Sequence, residues 1–290
     1  RRADALIVAG DLSEGRHPAP WRVAQIGEAL AAFEGPVVLV RGNHDGLRAG
    51  RSIVDVLAAG RPGWKGFSVP SITRVGDVAL ACLPYLDRPH LRALPGYETV
   101  PDAEVSAVLG EAYLTIARGL FVAASAVADR CVLVVHQALA GGLMSDSQAA
   151  FLGEGGLIVD TRALAAIGFD AILAGHFHKH QLVQADPLVA YAGSPYRTDF
   201  GEEHQAKGYL VVEVSADVAR DGAALTDVHM EFIETPARRF VTLTGDQWAN
   251  DYDVAAAHVR DAVVRVIDLD PAIDAAEIRR DLEQLGAFEV

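Results

Sequence analysis

Residues 171–180 read AILAGHFHKH: an apolar run, a glycine, then histidines at alternating positions. In extended backbone, residues two apart project to the same side, so His176, His178 and His180 are predicted to present their imidazoles together. A lone strand-end histidine is most often a polar residue where a buried strand meets solvent. A cluster is different, because imidazole is the commonest metal ligand and metal sites collect ligands from several strand ends rather than from one loop. What the other apolar runs end in therefore decides the reading.

They end alike. ALIVAG runs into Asp11, VVLVRG into Asn43, CVLVV into His136 and AILAG into His176. Helical patterns near 21–33, 51–59, 102–128 and 161–167 separate such runs, which is an α/β rhythm, and continuously apolar strands imply a sheet covered on both faces. In α/β sheets, ligands gather in the crevice beyond the carboxyl ends of the strands. Taken singly, GD and GN are turn signals. Four ligand-type residues at the same kind of position point to a metal centre instead. Beyond the histidines, LVAYAG, GYLVVEV, VHMEFIE and RFVTL predict a second, mostly antiparallel sheet ending near Leu243. A helix from Thr244, the run AVVRVIDLD, a helix near 274–285 and the stub FEV predict a small α/β appendage. The division is thus 1–243 and 244–290.

The 290 residues, 51% hydrophobic and 22% charged, suffice for a sizeable core. With 25 basic against 39 acidic residues, the net charge of −14 argues against a broad basic face that binds nucleic acid unaided. Bound cations can reverse that field inside a cleft. Cys82 and Cys131 lie in apolar runs without a CxxC pair, so both read as core residues, a thiolate zinc site is excluded and a reducing, cytoplasmic setting is expected. No uninterrupted apolar run approaches the ~18 residues of a membrane span; LFVAASAVA reads as helix core and no membrane association is expected. The chain opens RRADALIVAGD, without methionine, and reads as cut from something longer.

GDLSEG at 10–15, GNHDG at 42–46, VVHQ at 134–137 and GHFH at 175–178 resemble, in order and context, the motifs of the calcineurin-like metallophosphoesterases. YAGSPYRTDFGEEHQAKGYLVVEV at 191–214, SDSQ at 145–148 and the appendage, which looks like a capping domain, narrow the resemblance to nuclease subunits of the SbcC/SbcD exonuclease family. The resemblance implies a layered sandwich of two mixed β-sheets flanked by helices, and two divalent cations bridged by Asp11. Asn43, His136 and His176 would complete one site and His178 would belong to the other. His44 would act beside the scissile phosphate, with Asp45 orienting it. Nitrogen and oxygen donors without sulfur suit Mn, Fe or Zn rather than Mg, and manganese is the expected ion. The family's first motif, an Asp-x-His on a strand preceding Asp11, is not in this sequence, which therefore reads as N-terminally truncated, with one complete site and one half-site. The implied function is Mn-dependent phosphodiester hydrolysis of DNA in repair, as a homodimer with a coiled-coil ATPase of the SbcC type. The alternatives are a small-molecule phosphodiesterase or phosphatase, and a catalytically incomplete binding subunit.

Other polar residues carry weaker signals. Arg197 and Asp199 form either an internal ion pair or a contact to a nucleic-acid phosphate, and Tyr196 is a candidate to stack on a base. His180 has no counterpart among the family's ligands and is assigned to the cleft rim. His17, His90, His204, His229 and His258 read as surface or capping histidines.

Overall fold

Side-chain alternation along the apolar strands sets the layering in the computed structural model, which describes residues 3–13, 18–46, 52–93, 96–101, 104–144, 157–218, 224–250 and 252–290. Within the motifs quoted above, residues 14 and 15 and the SDSQ segment lie outside the described residues, as does His17. The chain runs β1 (Leu6–Val8), α1 (Pro20–Ala31), β2 (Val37–Val40), α2 (Ile53–Ala58) and β3 (Trp64–Phe67), a parallel three-stranded sheet in the order β1-β2-β3 with its crossover helices. Then follow β4 (Ser71–Val75), β5 (Val78–Leu83), α3 (Arg88–Arg92), α4 (Val105–Ser125), β6 (Arg130–His136) and the short parallel pair β7 (Ala138–Leu139) and β8 (Ile158–Val159). After α5 (Thr161–Ala165) come β9 (Ala171–Gly175), β10 (Gln181–Gln184) and β11 (Leu188–Tyr191). These complete a six-stranded mixed sheet in the order β10-β11-β9-β6-β5-β4, parallel at its centre and antiparallel at both edges.

On β5 and β6, Leu80, Cys82, Val132 and Val134 face the first sheet and pack against Val38, Val40 and Ile7. Their neighbours Ala79, Ala81, Cys131, Leu133 and Val135 face the opposite way, against Leu109 and Tyr113 of α4 and Leu164 of α5. The outer side of the first sheet, through Val37 and Leu39, is covered by α1 and α2. The result is helix on sheet on sheet on helix, the predicted sandwich, with both cysteines buried and unpaired. By length and composition α4 is long and apolar enough to cross a membrane, although Glu111 and Arg118 interrupt its apolar run. Its buried residues recur as Val105, Leu109, Ala112, Leu120 and Ala124, a helical stripe docked on the six-stranded sheet.

The four strands expected to make one antiparallel sheet separate instead. LVAY is β11 and lies parallel to β9; all four of its residues are buried, which is the signature of a strand covered on both faces. β12 (Gly208–Val218) and β13 (Ala224–Glu234) form a two-stranded antiparallel ribbon that lays Leu210, Val214, Val228 and Met230 onto the seam between the sheets. RFVTL lies in β14 (Phe240–Thr244), which is joined through α6 (Gly245–Asn250) and α7 (Tyr252–Val259) to β15 (Val263–Ile267). Because helices fill that connection, the two strands pair in parallel. With α8 (Ala275–Gln284) they enclose a small core of Leu243, Val259, Ala262, Val264, Ile278 and Leu282, and Glu289 of the terminal stub bridges to Val263.

Candidate metal centre

The period of two that turns Val132 and Val134 into the seam also turns His136 there, at the last residue of β6. His136 is 1% exposed. Its Nδ1 lies 2.6 Å from the Ala9 carbonyl just after β1. A carbonyl only accepts, so Nδ1 carries a proton, and Nε2 faces two further acceptors, Asn43 Oδ1 at 3.0 Å and Asp11 Oδ2 at 3.1 Å. Asn43 Oδ1 is also 3.1 Å from His176 Nδ1. Ligand atoms of Asp11, His136 and His176 all lie within 4.8 Å of one another. The carboxyl ends of β1, β2, β6 and β9 thus deliver one donor each to one point.

Two glycines permit the approach. A Cβ at Gly175, which pairs with His136 across the sheet, would stand 1.9 Å from the Ala9 carbonyl oxygen. At Gly10, where φ is +93°, a Cβ would stand 2.1 Å from His136 Nδ1. The chain then passes through Asp11 at φ +54° and His176 at φ +101°. Left-handed backbone at non-glycine residues costs about 1–3 kcal/mol each and clusters where function demands it.

The electrostatics call for a positive charge at the point of convergence. Burial disfavours a charged His136, yet the adjoining Asp11 carboxylate outweighs it and raises the imidazole above its ordinary value. Burial likewise opposes the Asp11 carboxylate, but the His136 charge and hydrogen bond, helped by the His44 amide, bring it down to about 2. Burial and the His136 charge push His176 down to about 3, so it presents a neutral, lone-pair-bearing ring. A carboxylate, an amide oxygen and two imidazoles around one point form the donor set of a divalent cation, and the carbonyl-anchored Nδ1 of His136 is the outer hydrogen bond that metal-binding histidines make.

His44 stands at the exposed rim, with its main-chain N–H donating to Asp11 Oδ1 at 2.9 Å. Asp45 is fully buried, and its carboxylate accepts the amides of Asp11, Leu12 and Gly42, each at 2.8 Å. Asp45 therefore fixes the loop that carries His44 through the backbone; its carboxylate is committed to those amides rather than to the His44 ring.

The three alternating histidines part company, because the chain turns at His176 and is not extended beyond Gly175. His178 Nδ1 lies 2.6 Å from Glu202 Oε1, outside the four-donor cluster. His180 Nδ1 donates to the Tyr191 carbonyl at 2.9 Å and its ring stacks on Phe232 at 4.0 Å. Arg197 corrects the substrate-binding assignment: its guanidinium donates to the carbonyls of Glu202, Glu203, Gln205, Ala237 and Arg238, and Asp199 caps the Gly201 amide instead of pairing with it. Tyr196 is 54% exposed. Sequence reasoning passed over Tyr85, whose ring lies 5.7 Å from His176 and 6.2 Å from His136, and the buried Glu202 and Lys207. The PY dipeptide at a strand end was the only signal for Tyr85; the two charges lay inside a quoted motif without a period to show them buried.

The profile of the calcineurin-like phosphoesterases matches residues 1–180. The chain belongs to that family. It is 24% identical over 225 residues to the SbcD subunit of the SbcCD nuclease of Staphylococcus epidermidis, covering 73% of this chain and 55% of the relative. To the SbcD protein of the SbcCD nuclease of Rhodobacter capsulatus it is 28% identical over 250 residues, covering 75% and 58%. The chain thus spans little more than half the length of these curated relatives. A crystal structure described as a 5′-nucleotidase of Staphylococcus aureus in complex with α-ketoglutarate aligns with 97% of this chain and 49% of its own at 14% identity and a TM-score of 0.45.

Proposed function

We propose that this phosphoesterase cleaves phosphodiester bonds of DNA with two divalent cations, manganese foremost, as the nuclease component of a homodimer that works with a coiled-coil ATPase. The convergence of Asp11, Asn43, His136 and His176 carries the metal chemistry. The similarity to SbcD proteins of two SbcCD nucleases supports DNA as substrate and the ATPase as partner.

Those four residues would hold one cation, and Asp11 with His178 would serve a second. A divalent cation there supplies Lewis acidity toward a phosphoryl oxygen and lowers the pKa of water. The protein's own groups do the rest. Asp11 is kept ionised and is fixed by the His44 amide. Asn43 Oδ1 lies 3.1 Å from His176 Nδ1, and the Tyr85 ring lies 5.7 Å from the His176 ring on that side of the site. His44, outside the donor set and open to solvent, is the group positioned to give a proton to the departing sugar oxygen. Cations in the cleft also reconcile the net charge of −14 with a polyanionic substrate.

The test is nucleotide release from linear duplex DNA by the full-length polypeptide, alone and with its ATPase, with and without Mn²⁺. Manganese-dependent release is expected. Hydrolysis of a simple phosphodiester ester with no cutting of DNA would replace this reading by the small-molecule one.

A further inference from the structure

The segment from Ser194 to Lys207 supplies none of the four converging donors, yet two of its charged side chains, Glu202 and Lys207, turn inward. The side chains of Glu202 and Lys207 are both 0% exposed and form an ion pair at 3.0 Å. Desolvating two charges costs several kcal/mol per ion, so a pair of this kind adds little net stability and calls for another reason.

The bonds of Glu202 supply one. Oε2 accepts Lys207 Nζ at 3.0 Å and the Thr198 amide at 2.9 Å; Oε1 accepts the Thr198 hydroxyl at 3.2 Å and His178 Nδ1 at 2.6 Å. Three contacts hold the carboxylate in place for the imidazole. Lys207 Nζ also donates to the main-chain carbonyl of His178 at 3.0 Å and to Ser194 Oγ at 2.9 Å, and the Ser194 amide donates to that same carbonyl at 3.0 Å. Ring and backbone of His178 are fixed from a single segment.

We propose that Glu202 is the positioning residue of His178: it takes the Nδ1–H, leaves the lone pair on Nε2 and aims that nitrogen at the second cation, while Lys207 clamps Glu202 in place. This inference rests on the metal-dependent reading of the site. It also separates the two ligand histidines by chemistry. His136 donates to a neutral carbonyl, whereas His178 donates to a carboxylate.

The experiment titrates metal-free, full-length protein with Mn²⁺ by calorimetry and electron paramagnetic resonance, for the wild type, Glu202→Gln and Glu202→Asp. Two ions per wild-type chain are expected, one of them bound about 10- to 100-fold more weakly in Glu202→Gln and the other unchanged. Glu202→Asp, which keeps the charge on a shorter arm, should fall between. Both ions bound by Glu202→Gln at wild-type affinity would overturn the proposal and leave the metal centre standing; no uptake by the wild type would overturn the metal reading and the proposal with it. Because an amide facing Lys207 can impair folding, the His178 tautomer is also read by ¹⁵N NMR in the metal-free wild type. A proton on Nδ1 is expected, and one on Nε2 rules the proposal out.

Discussion

Asp45 Oδ2 accepts the main-chain amide of Asp11 at 2.8 Å, binding together two loops that are 34 residues apart in sequence. The same oxygen accepts the Gly42 amide, and its twin accepts that of Leu12. Burial raises the Asp45 pKa against the pull of these amides, so the fold accepts an uncomfortable carboxylate in order to align Asp11 with Asn43. Asp45→Ala strands three amides, each worth about 1–3 kcal/mol when left unpaired and buried. A loss of about 3 kcal/mol or more in denaturant unfolding is expected, together with weaker Mn²⁺ binding. Asp45→Asn keeps an acceptor and should lose less. Wild-type stability in Asp45→Ala would show that the carboxylate is not the clamp.

His44 offers a cleaner separation of chemistry from structure. Its ring is exposed and its anchoring bond runs through the backbone, so His44→Ala should leave the melting temperature and Mn²⁺ uptake unchanged. Loss of a general acid lowers turnover by about 10²- to 10⁴-fold. Steady-state hydrolysis of a phosphodiester ester measures it, and full activity in the variant would remove His44 from the mechanism.

The donor set was legible because strand periodicity and chain order reach across the whole sheet: apolar runs ending in Asp11, Asn43, His136 and His176 place four residues at one edge whatever the loops do. Legibility ended where a single torsion decides. Periodicity put His176, His178 and His180 on one side, and the left-handed φ of His176 ends that alternation. Likewise Glu202 and Lys207 look like ordinary surface charges in DFGEEHQAKG, since only the three-dimensional neighbourhood of His178 shows them buried. The partner of β11 was missed for a related reason: the short β10 that turns the chain back beside β9 has two glutamines and no strong strand signature.

Metal and pH are coupled with a definite sign. A cation at the centre needs neutral imidazoles; His176, held down to about 3, is neutral already, whereas His136, raised by the Asp11 carboxylate above the ordinary histidine value of about 6.5, must give up a proton. As the pH falls, protons therefore compete for His136, and as it rises the competition fades. Saturating Mn²⁺ should therefore raise the melting temperature at about pH 7.5 and do so much less at about pH 5.5; a cation at 100 times its dissociation constant contributes about 2.7 kcal/mol. Scanning calorimetry with Mn²⁺ and with a chelator at both pH values decides it. An equal shift at the two would mean that the ion binds through carboxylates elsewhere.

Arg197 distinguishes a loop clamp from a phosphate contact. Its guanidinium bonds to five main-chain carbonyls, two of them at Ala237 and Arg238 just before β14, so it ties the Glu202 loop to the start of the small α/β core. Arg197→Gln leaves most of those carbonyls without a donor and should cost about 2 kcal/mol or more in unfolding free energy. A residue that neutralised a phosphate would behave differently: its loss would lower by about 0.9 the slope of log affinity against log salt for duplex DNA. The clamp reading expects the affinity of the folded variant to keep its salt slope while its unfolding midpoint falls. A flattened slope at unchanged stability would return Arg197 to the DNA surface, and the carbonyls it holds would have to find another donor.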